Sequence, residues 1–457
     1  MDIQGKIVAQ AREAISVQRF EGHRVEHDPR ELADSLQICC DKIADLLGEE
    51  CARIQQVGMA TQRSSIMCWE KDSGRPITPV ISWQDRRAWE YVESINHSAE
   101  QVKHITGLVL SPHYGASKLR WCLRHHDRVG QANKENNLAI GPLASFLVCQ
   151  LTGQTQPVCD PANASRTQLW SRHHCDWSET LCEIFEVDKR LLPVSVPSQY
   201  DYGVVNIGKH TAPLCFVTGD QSAAIYAFGE ATSDTAYINL GTGAFVQWPI
   251  GNTPRDIPGM LNSVVYQDSE RSEYVIEGTV NGAGSALSWL AAQVKQDAKE
   301  LVSEGIQEAL HHAPPVFLNG ISGLGSPYWV SDFESRFLSD TTDGLKAVAI
   351  IESIAFLIRE NLQQMESVNA PIQNILLTGG LSSVDYLCQT IADVCAKRVV
   401  RSSIKEATSA GVVYWLTAPN TPSKQNSSTQ FMPKSAGDVH TRYLLWSEEM
   451  NHSLKNH

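Results

Sequence analysis

No apolar run in this chain is long enough to cross a bilayer: the nearest, Leu138 to Cys149, is broken by Gly141-Pro142 and falls short of the roughly 20 residues required. A basic surplus is missing too. Lys and Arg number 38 against 51 Asp and Glu, giving a formal charge of −13 and a pI near 5.6, which excludes a general binder of nucleic acid or of anionic membranes. It leaves an anionic small molecule open, because a phosphate needs only a local nest of N–H groups and a metal. Paired Cys-x-x-Cys elements are also absent. The 12 cysteines are scattered, Cys39-Cys40 being adjacent, so neither a zinc ribbon nor a disulfide scaffold is implied and reduced thiols in a cytoplasm fit. The start, Met1-Asp2-Ile3-Gln4-Gly5-Lys6, shows no basic region followed by an apolar stretch, so no secretory signal is expected. Helical-repeat and propeller periods are not found.

What is present is a globular composition, 42% hydrophobic and 19% charged, over 457 residues, enough for two large domains. Asp2-Ile3-Gln4-Gly5 reads as a hairpin turn leading into an extended segment, Lys6 to Val17. Asp28 and Pro29 then supply an N-cap and a first helical residue, with Leu32, Leu36, Cys40, Ile43 and Leu47 on one face and Gly48 as the stop. Extended segments are expected at Ile54–Thr61, Ile66–Trp69 and from Val80, and helices at Lys118–His126, Ala144–Leu151 and from Ser178, capped by Asp176 or Ser178. After Phe228-Gly229-Glu230 a second strand set begins, including Ala236–Leu240, Phe245–Pro249 and Tyr274–Glu277, which places a domain boundary near residue 228. Later helices cover Ser285–Gln293 and Lys346–Met365, the second with Ile350, Ile351, Ile354, Ile358 and Leu362 inward. The strand Ile375-Leu376-Leu377-Thr378 runs into Gly379-Gly380 and then a helix, Val384–Ala396, a turn that suits a nucleotide. Thr417 to Ser435 reads as an exposed loop or mobile linker before a last helix, Thr441–Met450.

Two glycine turns carry the chemistry. Thr218-Gly219-Asp220-Gln221 ends one apolar run, and Gly241-Thr242-Gly243 follows another about twenty residues later. A carboxylate at a strand end can accept a hydroxyl proton, and a glycine turn with a threonine offers N–H groups and a hydroxyl to a phosphate, so the pair suggests phosphoryl transfer. Each turn alone is ordinary punctuation between strands. The His173-His174-Cys175 cluster invites a metal reading but is expected to be structural.

Segments across nearly the whole chain resemble the FGGY family of sugar and polyol kinases, above all its glycerol-phosphorylating branch. They are Trp83-Gln84-Asp85-Arg86-Arg87, Asn163-Ala164-Ser165-Arg166-Thr167, Gly219-Asp220-Gln221, Gly241-Thr242-Gly243, Glu277-Gly278, Ser322 to Trp329, Gly379-Gly380 and Glu406-Ala407-Thr408, in family order. The resemblance implies an α/β fold of two ribonuclease-H-like, actin-like ATPase domains around a central cleft. On that pattern residues 1–228 hold substrate and base, residues 229–418 hold ATP, and 419–457 form a polar linker and helix. Asp220 resembles the general base, an aspartate being ionised at neutral pH. Arg63, Ser64, Trp83, His113 and Gln221 match substrate-binding positions, and Thr242, Gly243, Gly284, Ser288, Gly379, Gly380 and Val384 match positions near the nucleotide. Mg²⁺ is implied with the ATP, with no protein ligand to it in this sequence, and a homodimer is implied by analogy alone.

The pattern also departs from the family. Members begin with a strand carrying an Asp-x-Gly-Thr-Thr-Ser-like turn that holds Mg²⁺ through water; the resemblance here sets in after it, so the expected first domain lacks its initial strands. Ser64 stands where the glycerol-phosphorylating members have a glutamate, and His113 where they have a tyrosine, with Tyr114 beside it. A serine reaches less far than a carboxylate that accepts from two hydroxyls, so the acceptor is expected to be glycerol, another polyol or a small ketose. Val384 and Asp385 replace asparagines on the adenine side, and Ser288 a glutamine. The alternative is a truncated, catalytically inactive homologue that binds sugar or nucleotide as a regulator.

Overall fold

The computed structural model describes residues 1–3, 5–368, 371–404, 406–417, 428–434 and 437–455. Asp2 and Lys6 close the expected first turn, in which Gln4 lies outside the described residues. Local chemistry then starts the first helix where the sequence places it. The Asp28 carboxylate accepts from Arg30 N at 2.8 Å, Pro29 opens the Pro29–Leu47 helix, and Gly48 ends it with φ 55°.

The first half is built on two small sheets. One has the strand order Gln18–Phe20, Arg24–His27, Val80–Ile81, Ile66–Glu70, Leu138–Pro142, antiparallel throughout. The other sets Val57–Thr61 parallel to the long strand His210–Gly219, which also pairs antiparallel with Val204–Ile207. Among the described residues no strand bonds to the other edge of Val57–Thr61. Helices Gly115–His125 and Leu143–Thr152 cover these sheets, and Ser178, not Asp176, caps the short helix Glu179–Ile184.

A seven-stranded sheet organises the second half, in the order Leu261–Gln267, Ser272–Val280, Ala244–Gly251, Thr235–Leu240, Asn374–Thr378, Arg398–Ser402, Ser428–Phe431. The central strands Thr235–Leu240, Asn374–Thr378 and Arg398–Ser402 are parallel, and Ala244–Gly251, Ser272–Val280 and Leu261–Gln267 follow the first of them outward, each antiparallel to its neighbour. Helix Asp343–Glu366 packs on this sheet, with Ile350, Ile351, Ile354, Ile358 and Leu362 buried as the sequence pattern predicts. Parallel strands need covered faces: that helix and Asp385–Cys395 cover one, over Ile238 and Leu377, and Ala407–Leu416 packs on the other, beside Tyr237 and Leu376.

Two elements correct the sequence reading. Within Thr417–Ser435, expected as loop, Ser428–Phe431 is an edge strand antiparallel to Arg398–Ser402; residues 418–427 and 435 lie outside the described residues. The last helix is longer than expected, Asp438–Lys455, and is docked on the core by buried Tyr443, Trp446 and Met450. Arg442 on it donates from Nε to the buried Glu352 at 2.7 Å, which ties this helix to Asp343–Glu366.

The halves meet through an aromatic cluster. Helix Ala407–Leu416 lies across Val57–Thr61 and the Asp220 turn, and its Trp415 stacks on Tyr266 at 3.7 Å between centroids beside Phe216 and Tyr226.

Candidate functional site

Register brings the first residues together. Gly219 lies opposite Thr61 in the parallel pair, so Arg63-Ser64 and Asp220-Gln221 leave the sheet at the same carboxyl-terminal end, where open α/β sheets build their sites. Asp220 begins the helical turn Asp220–Ala224, its Oδ1 accepting from Gln221 N at 2.7 Å and its carbonyl accepting from the Thr408 hydroxyl at 3.2 Å. Its side chain keeps 41% of its surface open, and Arg63 Nε stands 4.0 Å from Oδ1. A carboxylate that is reachable yet flanked by a fixed cation can take a proton from a bound hydroxyl.

Gly219 makes room for that cation. A Cβ there would come within 2.5 Å of Arg63 Cγ and Cδ, and Arg63 is pinned by its ion pair, so Gly219→Ala has to push the guanidinium aside. We expect kcat/KM for the acceptor to fall about ten- to hundred-fold with the fold intact by circular dichroism. Retention of wild-type kcat/KM would show that Arg63 need not stay where it is.

Glu277, on strand Ser272–Val280 of the second half, anchors the cluster. It accepts from Arg63 Nη1 at 3.0 Å, from Gln247 Nε2 at 3.2 Å and from Arg166 Nη2, with all three charged side chains below 10% exposure. Burial lowers the pKa of Arg63, and burial together with Arg63 pushes that of Arg166 down to about 9, which leaves Arg166 charged at neutral pH. Arg166 also lies 6.0 Å from the ring centroid of Tyr114. The turn that carries Arg166 is fixed behind it: Asn163 Nδ2 donates to Asp160 at 2.8 Å, and Asn163 Oδ1 accepts from Thr61.

A second wall is made by Trp83, His113 and Arg86. The Trp83 and His113 rings meet edge to face at 5.9 Å, and His113 meets Tyr114 at 4.9 Å. Arg86 Nη1 donates to Trp83 O at 3.1 Å and to His113 Nδ1 at 3.2 Å. Behind them the fully buried Lys118 donates to Ser64 O at 3.1 Å and Ser82 O at 2.8 Å, and burial drives its pKa well below the usual lysine range. Ser64 has φ 64°, and its hydroxyl is buried with no partner.

The glycine turns of the second half also converge. Asn239 pairs with Thr378, so Gly241-Thr242-Gly243 and Gly379-Gly380 leave the sheet side by side. Thr242 O accepts from Ala283 N at 3.2 Å and Ser285 N at 3.0 Å, and Gly284 N donates to Gly241 O at 3.0 Å, tying that turn to the start of helix Gly284–Val294. Gly379 has φ 90°, and a Cβ there would lie 2.4 Å from Leu240 O, whereas a Cβ on Gly380 would meet nothing within 4 Å. Bare main chain facing open space, next to an exposed Thr242, fits a nucleotide phosphate. Ser288 spends its hydroxyl on Gly284 O within its own helix, and Val384 N-caps the Asp385–Cys395 helix. Among the described residues no group of three or more His, Cys, Asp or Glu could hold a metal ion. His173 Nε2 donates to His104 O at 3.1 Å, and Cys175 Sγ lies 3.7 Å from the Tyr274 hydroxyl.

The structure thus brings Arg63, Asp220 and Gln221 to one sheet end and Trp83 to His113, and it gathers Thr242, Gly243, Gly284, Gly379 and Gly380 at another. Sequence reasoning gave no role to Glu277, Gln247, Arg86, Arg166 or Lys118. A carboxylate inside the apolar strand Tyr274-Val275-Ile276-Glu277 was the available signal for Glu277; Lys118 had none.

The pattern of the FGGY family of carbohydrate kinases matches this chain twice, its N-terminal domain over residues 1–225 and its C-terminal domain over 236–417. Glycerol kinase 1 of Thermotoga maritima is 32% identical over 402 residues, covering 85% of this chain and 81% of the relative. Glycerol kinase of Haloferax volcanii is 29% identical over 488 residues, covering 99% of this chain and 94% of the relative. Among solved structures, Plasmodium falciparum glycerol kinase with ADP superposes with a TM-score of 0.91 at 23% identity, covering 99% of this chain and 95% of that chain. The fold is therefore the two-domain α/β, actin-like ATPase architecture.

Proposed function

The chain belongs to the FGGY family of carbohydrate kinases, phosphotransferases with an alcohol acceptor, and on that footing we propose that it phosphorylates a terminal hydroxyl of glycerol, another polyol or a small ketose at the expense of ATP, with Asp220 as general base. The observation that carries this reading is the half-open Asp220 carboxylate at the end of the parallel pair, 4.0 Å from the buried, ion-paired Arg63.

In this reading Asp220 accepts the hydroxyl proton, and it need not do so early, because a loose transition state asks mainly for alignment. Arg63 and Gln221 orient the acceptor; Trp83, Ser64 and His113 line its other side and exclude water. Thr242 and Gly243 face the γ-phosphate, while Gly284, Ser288, Gly379, Gly380 and Val384 border the rest of the nucleotide. ATP with Mg²⁺ on its phosphates supplies the phosphoryl group and neutralises charge developing on it. Residues 1–228 form the acceptor and base unit, and 229–418 the nucleotide unit.

An ADP-release assay on the full chain across polyols and ketoses tests the proposal. Steady turnover of at least one acceptor is expected, with burst-free ATP hydrolysis in its absence far slower. No turnover with any alcohol would end the kinase reading.

A further inference from the structure

We propose that Lys118 is a positioning residue for the acceptor: its amino group, buried behind the wall, clamps the main chain at Ser64 and Ser82 and so aims Arg63 and Trp83 at the acceptor. This rests on the kinase reading above and adds to it a residue that acts only through others.

Lys118 lies on the helix Gly115–His125, whose start is wedged into the wall. A Cβ on Gly115 would come within 2.8 Å of Ile66 Cγ2 and 3.1 Å of Thr167 Cα, and Ala116 N donates to Thr167 O at 2.6 Å. One turn further on, the fully buried Nζ of Lys118 donates to Ser64 O at 3.1 Å and to Ser82 O at 2.8 Å. Among the described residues no carboxylate lies within ion-pair distance of it. Asp85, whose charge favours the ammonium, is committed to Arg87 at 2.7 Å and to Val25 N at 2.7 Å. A cation buried without a carboxylate on it is destabilising, and an apolar side chain would serve the packing of this helix better. The two carbonyls are what the lysine answers to.

Those carbonyls belong to one closed ring of hydrogen bonds. Ser82 O and Trp83 N are the two ends of a single peptide unit: the oxygen accepts from Lys118, and the N–H donates to the Ser65 hydroxyl at 3.0 Å. Ser64 O belongs to the peptide that joins Ser64 to Ser65, so the ring returns through Ser65 to Lys118. Because a peptide unit is planar, holding both of its ends fixes the direction in which Trp83 leaves the chain. On the other side Ser64 has φ 64°, a left-handed backbone that a serine seldom adopts without support. Its relaxation to a commoner φ would swing the preceding Arg63 away from Asp220, 4.0 Å off. An ammonium has three N–H groups and a neutral amine two, so both carbonyls are served in either protonation state.

The test compares Lys118→Met and Ser65→Ala in the full chain, with Mg-ATP and with glycerol, xylitol and xylulose as acceptors. Lys118→Met should raise KM for the acceptor about ten-fold or more, while KM for ATP stays within about two-fold of wild type. Ser65→Ala opens the same ring from the other side and should act in the same direction, and the double variant should lose less than the product of the two single losses. The position itself is read in chain labelled with 5-fluorotryptophan, the Trp83 line being assigned by its loss in Trp83→Phe. That line should split or broaden in Lys118→Met, as for a ring no longer held in one place. Equal rises in KM for acceptor and ATP, losses that multiply in full, or a Trp83 line as sharp and single as in wild type overturn the clamp and leave the kinase reading standing. If Lys118→Met does not fold, Ser65→Ala is judged by the KM split and the Trp83 line. If the wild type turns over none of the three acceptors, that failure belongs to the kinase reading, and the Trp83 line alone decides whether Lys118 holds the wall.

Discussion

Asp220→Asn should lower kcat by about 10²- to 10⁴-fold while leaving the fold untouched, the range expected when a positioned general base is replaced by an isostere that cannot take a proton. The side chain is 41% exposed and its nearest cation stands at 4.0 Å, a separation at which an open pair adds little stability. Its backbone anchors, Gln221 N to the side chain and Thr408 to the carbonyl, survive the change because an amide oxygen can still accept. Thermal unfolding within about 2 °C of wild type, together with a nearly unchanged KM for the acceptor, is therefore expected. A kcat loss below about ten-fold would remove Asp220 from the base role.

Glu277→Gln should have the opposite profile, with stability as the main loss. Glu277 is 4% exposed and neutralises two guanidiniums that are themselves buried. Breaking a buried pair from one side leaves uncompensated charge, at a cost of about 3–5 kcal/mol. A fall in Tm of several degrees by calorimetry is the expected readout. Because the loss comes from the stranded arginines, adding Arg166→Met to Glu277→Gln should recover part of it, a coupling that a double-mutant cycle measures. Additive losses would mean that Arg166 and Glu277 do not depend on one another.

The contrast between these two residues also marks what a local reading reaches. The place of Asp220 at a strand end was legible because its signal is local: an apolar run, a glycine, a carboxylate. The Pro29–Leu47 helix was legible for the same reason, its cap and stop lying within the segment. Glu277 takes its meaning from Arg63 and Arg166, more than a hundred positions away in the chain, and no window contains them. Strand Leu261–Gln267 hid behind Asn262 and Ser263, polar residues in a buried strand; Asn262 earns its place by bonding Arg172 at 3.0 Å and Val275 O at 3.1 Å. Ser428–Phe431 is polar enough to read as loop and is a strand because Arg398–Ser402 supplies its partner groups. Tertiary pairing overrode local propensity in both.

Glu277 sits on the large second sheet, while Arg63 and Arg166 belong to the first half. A fragment ending before Thr235 would keep both buried guanidiniums and lose the counter-charge they share. Each half is therefore an incomplete folding unit at neutral pH, and separately produced halves should regain structure chiefly on being mixed, which makes fragment complementation a direct readout of how strongly the two sequences were shaped for each other.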